Sequence, residues 1–196
     1  MFTVVYVSNG YIFYALTYLE LFPDYICAKS VPKDQCNHEL MCSTGGEQPN
    51  VIRVDWTSHH SLYNWVDRLN LACEPKWETG LIGSMYLMGW SAGCLFIPRL
   101  GDVYGRRKPF LICSALSVLV YLGLLLSKNI DLTMALYLLL GLSTPGKVNI
   151  GYVYLLELVP TAWQTYVGTV LLIGDGSTMI FLSLYLRYIS KDWFWF

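Results

Sequence analysis

The sequence predicts an all-α membrane protein, and two of its properties support that fold class. Of its 196 residues, 55% are hydrophobic and only 14% are charged, which is more apolar than a typical soluble domain. Five stretches are as long and as apolar as a helix that crosses a bilayer, which takes about 20 residues. A net charge of −1 leaves no basic surface for a phosphate backbone, so no nucleic-acid partner is expected.

The predicted spans are all taken as helices, because a helix satisfies its own backbone hydrogen bonds in lipid. The first lacks a basic leader and a small-residue cleavage site, so it is expected to stay in the mature protein. The aromatic residues of the final KDWFWF are typical of a membrane interface and predict the start of a sixth span. The five spans are Thr3 to Phe22, Thr79 to Pro98, Pro109 to Ser127, Leu132 to Val159 and Ala162 to Tyr188.

The polar segment between the first and second spans predicts a disulfide-bonded loop. An even number of cysteines in such a loop suggests two disulfides on an oxidising face of the membrane, with three possible pairings. A zinc site is the weaker alternative, because the spacings contain no C-x-x-C pair, and no metal is expected. The loop cysteines are Cys27, Cys36, Cys42 and Cys73.

The short link between the second and third spans determines the predicted orientation. It carries Arg99, Arg106, Arg107 and Lys108 against a single acid, Asp102. Short basic links stay on the cytoplasmic side, so the N-terminus is predicted inside and the cysteine loop outside. The basic residues after the fifth span run against this orientation. The expected location is the plasma membrane, although an endomembrane lumen would also oxidise the cysteines. The predicted organisation is a first span at residues 1–22, an extracellular loop at 23–78 and the remaining spans at 79–196.

The same basic link contains a motif. Its sequence, PRLGDVYGRRKP, has an acid at a helix end, then a glycine that permits a tight turn, then two arginines. The pattern resembles the loop signature of the major facilitator superfamily, G-x-L-A-D-R-x-G-R-R, with Pro98 and Val103 as departures. The resemblance implies a gating loop that latches the cytoplasmic ends of two helix bundles; a positive anchor with no moving role is the alternative. The matching residues are Leu100, Asp102, Gly105, Arg106 and Arg107.

Other stretches narrow the resemblance. The sequence NWVDRLNLACEPKWETG, which leads into the second span, is similar to the organic cation and anion transporters of that superfamily. This implies that the chain is the N-terminal half of a major facilitator helix bundle. Tyr137 stands where the superfamily has an arginine often linked to proton coupling. Glu157 matches the acid of a signature between the fourth and fifth spans, but Gln164 replaces its arginine, so that charge pair is lost.

Two ionisable residues lie near the middle of predicted spans, where a charge is costly and therefore a candidate for function. Lys147 and Asp175 differ in depth by about 3 Å when counted from the hairpin between their spans, so they could pair. In the superfamily both spans line the central cavity, which makes these residues candidates for the substrate cavity. A pair that only fixes helix packing is the alternative. Pro145 is expected to kink the fourth span, and the glycines beside Asp175 to loosen the fifth.

The first and second spans add further candidates. Asn9, Tyr11 and Tyr14 have helical spacings that place polar and aromatic groups on one side of the first span. Such a stripe could hold an organic cation by cation–π contact, or it could simply pack. Asn9 and Tyr11 complete the predicted substrate cavity. Gly89 and Gly93 form a G-x-x-x-G pair that could receive a partner helix.

These observations predict transport of a small organic ion or metabolite by alternating access. The expected partners are the lipid bilayer, the small organic ion and a C-terminal half or another membrane subunit. A non-transporting scaffold subunit that retains half a transporter fold is the alternative, and a receptor with a ligand-binding cysteine loop would leave the gating motif unexplained. The sequence shows no nucleophile with a base and no phosphate-cradling loop, so neither an enzyme nor a cofactor is predicted.

Overall fold

The computed structural model describes residues 2–27, 36, 40, 42, 51–58, 61, 62, 66, 73 and 75–189. The predicted start of a sixth span and the side chain of Asn9 lie outside the described residues. Within them the backbone is mostly helical, with two short strands in the cysteine loop. The helices are α1 (Phe2–Leu19), α2 (Lys76–Tyr104), α3 (Arg107–Leu126), α4 (Ile130–Pro145), α5 (Gly151–Glu157) and α6 (Thr161–Tyr188), and the strands are β1 (Tyr25–Cys27) and β2 (Ile52–Val54).

Three of the described helices are long and apolar enough to cross a membrane, namely Trp77–Tyr104, Arg107–Leu126 and Thr161–Tyr188. They correspond to the predicted second, third and fifth spans. The first predicted span is helical as α1, over 18 residues. The fourth is helical across α4 and α5, which are separated by a π-helical turn at Gly146–Ile150. The count of five spans therefore stays a prediction.

The chain divides into two compact units, one of Met1–Ala15 with Gly80–Leu182 and one of Leu16–Thr79 with Ser183–Phe196. The second unit contains the cysteine loop. Disulfides join Cys27 to Cys36 and Cys42 to Cys73, so the two predicted disulfides are confirmed and their pairing is known.

A two-stranded antiparallel ribbon lies beside the first of these disulfides. In the pairing of β1 with β2, Cys27 lies opposite Ile52, and Tyr25 lies opposite Val54. Burial raises the pKa of the Tyr25 phenol, which therefore stays neutral at physiological pH. The prediction of an all-α chain did not include this ribbon.

In the first unit, glycines bring the backbones of α2 and α4 into contact. A Cβ on Gly89 would meet the Leu138 carbonyl, and one on Gly141 would meet the Tyr86 carbonyl. Gly93 faces the same helix α4. Small residues at membrane helix interfaces permit this close approach. The predicted partner helix of the G-x-x-x-G pair is therefore α4 of the same unit.

Hydroxyl groups connect α3 to α4 along the same unit. The Ser117 and Ser143 hydroxyls lie 2.9 Å apart, and those of Ser127 and Thr133 lie 2.8 Å apart, all four residues being buried. Hydrogen bonds between helices add roughly 0.6 kcal/mol each in a membrane. Small residues and paired hydroxyls therefore hold α2, α3 and α4 together.

The backbone is helical around both midspan charges, Lys147 and Asp175. At Pro145 the helix passes directly into the π-helical turn, since Gly146 keeps helical angles of φ −67° and ψ −33°. The glycines beside Asp175 leave α6 uninterrupted from Thr161 to Tyr188. A glycine costs a helix only about 1 kcal/mol, so a continuous helix is compatible with these glycines, and the loosening of α6 stays a prediction.

Candidate functional site

A small cavity in the first unit contains one of the predicted site residues, Asp175. It has a volume of about 100 Å³, which is space for several water molecules. Of the residues described around it, only Asp175 is charged. The lining residues are Tyr6, Gly10, Phe13, Tyr14, Trp90, Val148 and Asp175.

Within the described part of the chain, the Asp175 carboxylate accepts one side-chain hydrogen bond. Tyr14 donates its phenolic hydrogen to Asp175 Oδ2 at 3.4 Å, which is a long hydrogen bond. A carboxylate can accept about four hydrogen bonds, so Asp175 retains capacity for a ligand. The other oxygen, Oδ1, lies against Gly10, where a Cβ would come within 2.6 Å of it. Gly10 therefore makes room for the carboxylate.

Aromatic rings form much of the remaining cavity wall. The Phe13 ring centroid lies 5.5 Å from that of Tyr14 and 6.1 Å from that of Trp90, with interplanar angles of 68° and 88°. These are edge-to-face arrangements, which aromatic pairs prefer. A cation within about 6 Å of a ring face is attracted by the electrons of the ring. One carboxylate among such rings suits a positively charged group.

Lys147 lies away from this cavity. It is 2% exposed, and its Nζ donates a hydrogen bond to Tyr121 Oη on α3 at 3.3 Å. The same Nζ lies 5.3 Å from the centroid of the Tyr121 ring. The next residue, Val148, lines the cavity, and consecutive side chains of a helix point in directions about 100° apart. The predicted Lys147–Asp175 pair does not form, because Lys147 contacts Tyr121 and Asp175 contacts Tyr14.

The first-span candidates are only partly placed by the structure. Tyr11 packs edge-to-face on Phe181, with ring centroids 6.3 Å apart, and is not among the cavity-lining residues. The Asn9 side chain is outside the described part of the chain. Tyr14, from the same predicted stripe, contacts Asp175. Substrate contact by Asn9 or Tyr11 stays a prediction.

The predicted gating loop forms the turn between α2 and α3. Gly105 has a φ of +81°, which residues with a side chain rarely adopt, and this accounts for the glycine of the motif. The Arg106 guanidinium lies 3.1 Å from Glu157 on α5 and 3.9 Å from Asp102. An ion pair thus joins the loop to Glu157, the acid of the signature between the fourth and fifth spans. The sequence did not predict this contact.

Gln164 and Tyr137, which stand where the superfamily has arginines, each have contacts that the structure describes. Gln164 donates to the carbonyls of Leu156 and Val159 at 3.0 and 3.4 Å, so a neutral amide satisfies the end of α5 where an arginine was expected. Tyr137 is buried and packs on Tyr86, with ring centroids 6.3 Å apart. Gln164 thus makes hydrogen bonds at its position, and Tyr137 makes a ring contact at its own.

Sequence reasoning missed five of the cavity-lining residues, one of which is Gly10. Tyr6, Phe13 and Val148 carry no signal that distinguishes them from ordinary core residues. Trp90 does carry one, since it lies in the middle of the second predicted span, whereas membrane tryptophans concentrate at the interfaces. That position could have marked it as a candidate.

Comparison with known proteins identifies transporters. The profile of a family described as sugar (and other) transporter matches residues 10–174. The probable metabolite transport protein CsbC of Bacillus subtilis is 30% identical over 118 residues, which are 59% of this chain and 26% of that protein. Solute carrier family 22 member 17 of Homo sapiens is 31% identical over 132 residues, 66% of this chain and 20% of that protein. Organic cation transporter 1 of Caenorhabditis elegans is 26% identical over 153 residues, 76% of this chain and 24% of that protein. The chain therefore matches only about a quarter of the length of these relatives.

Proposed function

The chain belongs to the sugar (and other) transporter family of the major facilitator superfamily, and we propose that it forms the N-terminal bundle of a transporter that moves a small organic cation by alternating access. Proteins of this family act in membrane transport. The observation that carries the choice of a cation is the cavity in which Asp175 is the only charged residue described.

The chemistry of the cavity favours positive charge over the other substrate types. An ammonium group would pair with the Asp175 carboxylate and lie against the rings of Tyr14 and Trp90. Cation–π contacts contribute about 0.5–2 kcal/mol each, with the larger values away from water. An organic anion would be repelled by the negative charge of Asp175, because no described cation lines the cavity. A neutral sugar could hydrogen-bond to the polar atoms of the lining, but it would leave the negative charge of Asp175 without a counter-ion.

The gating loop provides a contact that can open and close during conformational change. The ion pair of Arg106 with Glu157 is partly exposed, and such pairs contribute about 0–1 kcal/mol. A contact of that strength can break and form again during a transport cycle. The close glycine packing of α2 on α4 would let these helices move together as a rigid group.

Alternating access requires a second helix bundle. The relatives are roughly four times longer than the segments that match this chain. We therefore propose that a C-terminal half or another membrane subunit completes the transporter. We also propose that the N-terminus is cytoplasmic, that the disulfide-bonded loop is extracellular and that the protein resides in the plasma membrane.

A non-transporting scaffold subunit is the second candidate. The neutral side chains of Tyr137 and Gln164 favour it, since both replace arginines of the superfamily pattern. The Asp175 cavity favours the transporter, because a scaffold has no need of a partly buried carboxylate beside aromatic rings.

Uptake measurements with probes of different charge test the proposed function. Cells that express the native protein should accumulate tetramethylammonium in preference to acetate or a neutral sugar. Asp175→Asn should reduce this uptake at least about tenfold, because it removes the cavity's charge. Asp175→Glu should retain part of it, and Asp131→Asn, at an exposed acid in the first turn of α4, should leave it unchanged. No uptake of any probe by protein at normal surface levels would favour the scaffold.

A further inference from the structure

A second, larger cavity lies beside the loop between α2 and α3. Its volume is about 520 Å³, within the range of small-molecule sites. The hydroxyl-bearing rings of Tyr104 and Tyr154 contribute to its wall. Its charged lining residues are Asp102, Arg106, Arg107, Lys108 and Glu157.

The cations around this cavity differ in their pairing. Arg106 is balanced by Glu157 at 3.1 Å and by Asp102 at 3.9 Å. Arg107 and Lys108 are exposed, and no carboxylate of the described residues lies within 4 Å of either. These two adjacent cations are therefore available to an anion that enters the cavity.

The surface of α3 beyond these cations is apolar and exposed. Leu111 and Ile112 follow Arg107 and Lys108 by four residues each, so each cation has an apolar neighbour one turn along the helix. Leu111 is 47% exposed and Ile112 is 67% exposed. The exposed surface continues along the helix at Val118, Leu119, Leu122 and Leu126.

We infer that this cavity binds the headgroup of an anionic phospholipid, with Arg107 and Lys108 at the phosphate and the α3 surface along the acyl chains. The arrangement of two cations above an apolar stripe matches the polar and apolar parts of such a lipid. Basic residues at the cytoplasmic surface attract anionic lipids by about 1 kcal/mol each. A soluble phosphate would contact the two cations alone, whereas a phospholipid would also lay its acyl chains along the apolar stripe.

Lipid retention by the native protein tests this site without a transport assay. The protein is reconstituted in mixed phosphatidylcholine and phosphatidylglycerol and extracted in detergent, and the retained lipids are quantified by native mass spectrometry. We expect enrichment of phosphatidylglycerol over phosphatidylcholine. Arg107→Gln with Lys108→Gln should weaken that enrichment by about fivefold for each cation removed, or about 25-fold in the double variant.

Two control variants separate the lipid site from a general effect of charge or folding. Arg107→Lys with Lys108→Arg keeps both charges and should retain the enrichment. Arg53→Gln removes an exposed cation from β2, in the other unit, and should also retain it. An equal loss in either control, or no loss in the glutamine double variant, would overturn the inference.

Competition with inorganic phosphate distinguishes the two sources of the anion. If a lipid is the ligand, excess inorganic phosphate should leave most of the phosphatidylglycerol bound, because the apolar contacts remain. Complete displacement by phosphate would overturn the lipid assignment and indicate a site for soluble phosphate. Because the measurement follows bound lipid, its failure would not count against cation transport at Asp175.

Discussion

At the scale of single residues, the account depends on Asp175 and on the space around it. A carboxylate in a membrane helix is costly and is expected to find a partner. The one side-chain hydrogen bond described for it, from Tyr14, is long at 3.4 Å. The proposed cation would complete the coordination of this carboxylate. Gly10 is required on the facing helix because its missing side chain leaves room for Oδ1.

Substitution of Gly10 by alanine should therefore disturb the cavity. The new Cβ would lie 2.6 Å from Asp175 Oδ1 and 2.9 Å from Thr178 Oγ1, which is closer than these atoms pack. Overpacking of this kind costs about 1–3 kcal/mol. We expect a lower midpoint of thermal unfolding in detergent and about tenfold weaker tetramethylammonium binding.

The matched control is Gly176→Ala, one residue after Asp175. A Cβ at Gly176 would have no atom within 4 Å. Alanine is favoured over glycine in a helix by about 1 kcal/mol, so this variant should be neutral or slightly more stable. If both variants lowered stability and binding equally, the close contact at Gly10 would not be the cause.

The sequence identified some of these residues and misplaced others. Asp175 and Arg106 could be singled out because a midspan charge and a gating motif are visible in the sequence alone. Lys147 could not be placed, because its direction depends on a π-helical turn that shifts the helical register after Pro145. A count of residues from the hairpin gives depth in the membrane, but it does not give the side of the helix.

At the scale of helices, the ion pair between the gating loop and α5 connects two signatures that are distant in sequence. Arg106 and Glu157 are both partly exposed, with side chains 30% and 52% accessible. Gln164 stands where the superfamily has an arginine. Among the described residues, Arg106 is therefore the cation that lies within 4 Å of Glu157. The loop and the end of α5 should therefore be coupled mainly by this pair.

A double-mutant cycle should measure that coupling. Single and double variants at Arg106→Gln and Glu157→Gln should give an interaction energy of about 0.5–1 kcal/mol in the free energy of unfolding. The value should fall at high salt, because exposed charges are screened. The cycle with Asp102→Asn in place of Glu157→Gln should give a smaller value, since 3.9 Å separates that pair. A larger coupling to Asp102 would contradict the assignment of Glu157 as the main partner.

Most helices could be predicted from their apolar lengths, but their partners could not. The stretches from Thr79 to Pro98 and from Pro109 to Ser127 lie within or near α2 and α3. The G-x-x-x-G pair can be recognised in the sequence. Its contact with α4, the helix that contains Gly141, depends on how the helices are arranged in three dimensions. The pairing of the loop cysteines likewise needed the fold, because four cysteines permit three pairings.

At the scale of the whole molecule, composition was enough to indicate a membrane protein, and the family match assigns it to a class of transporters. The matched relatives are much longer, so the proposed cycle needs further helices to close the cavity from the other side. The proposed cation site would then lie on one wall of a larger central path. The central claim is that Asp175 binds the positive charge of the substrate.

Isothermal titration calorimetry of tetramethylammonium into the purified native protein tests that claim most directly. We predict saturable binding to the wild type, weaker binding to Asp175→Glu and a loss of at least about tenfold in affinity for Asp175→Asn. Asp131→Asn serves as the charge-matched control and should bind like the wild type. Equal affinity in the wild type and Asp175→Asn, or tighter binding of acetate than of tetramethylammonium, would contradict the account.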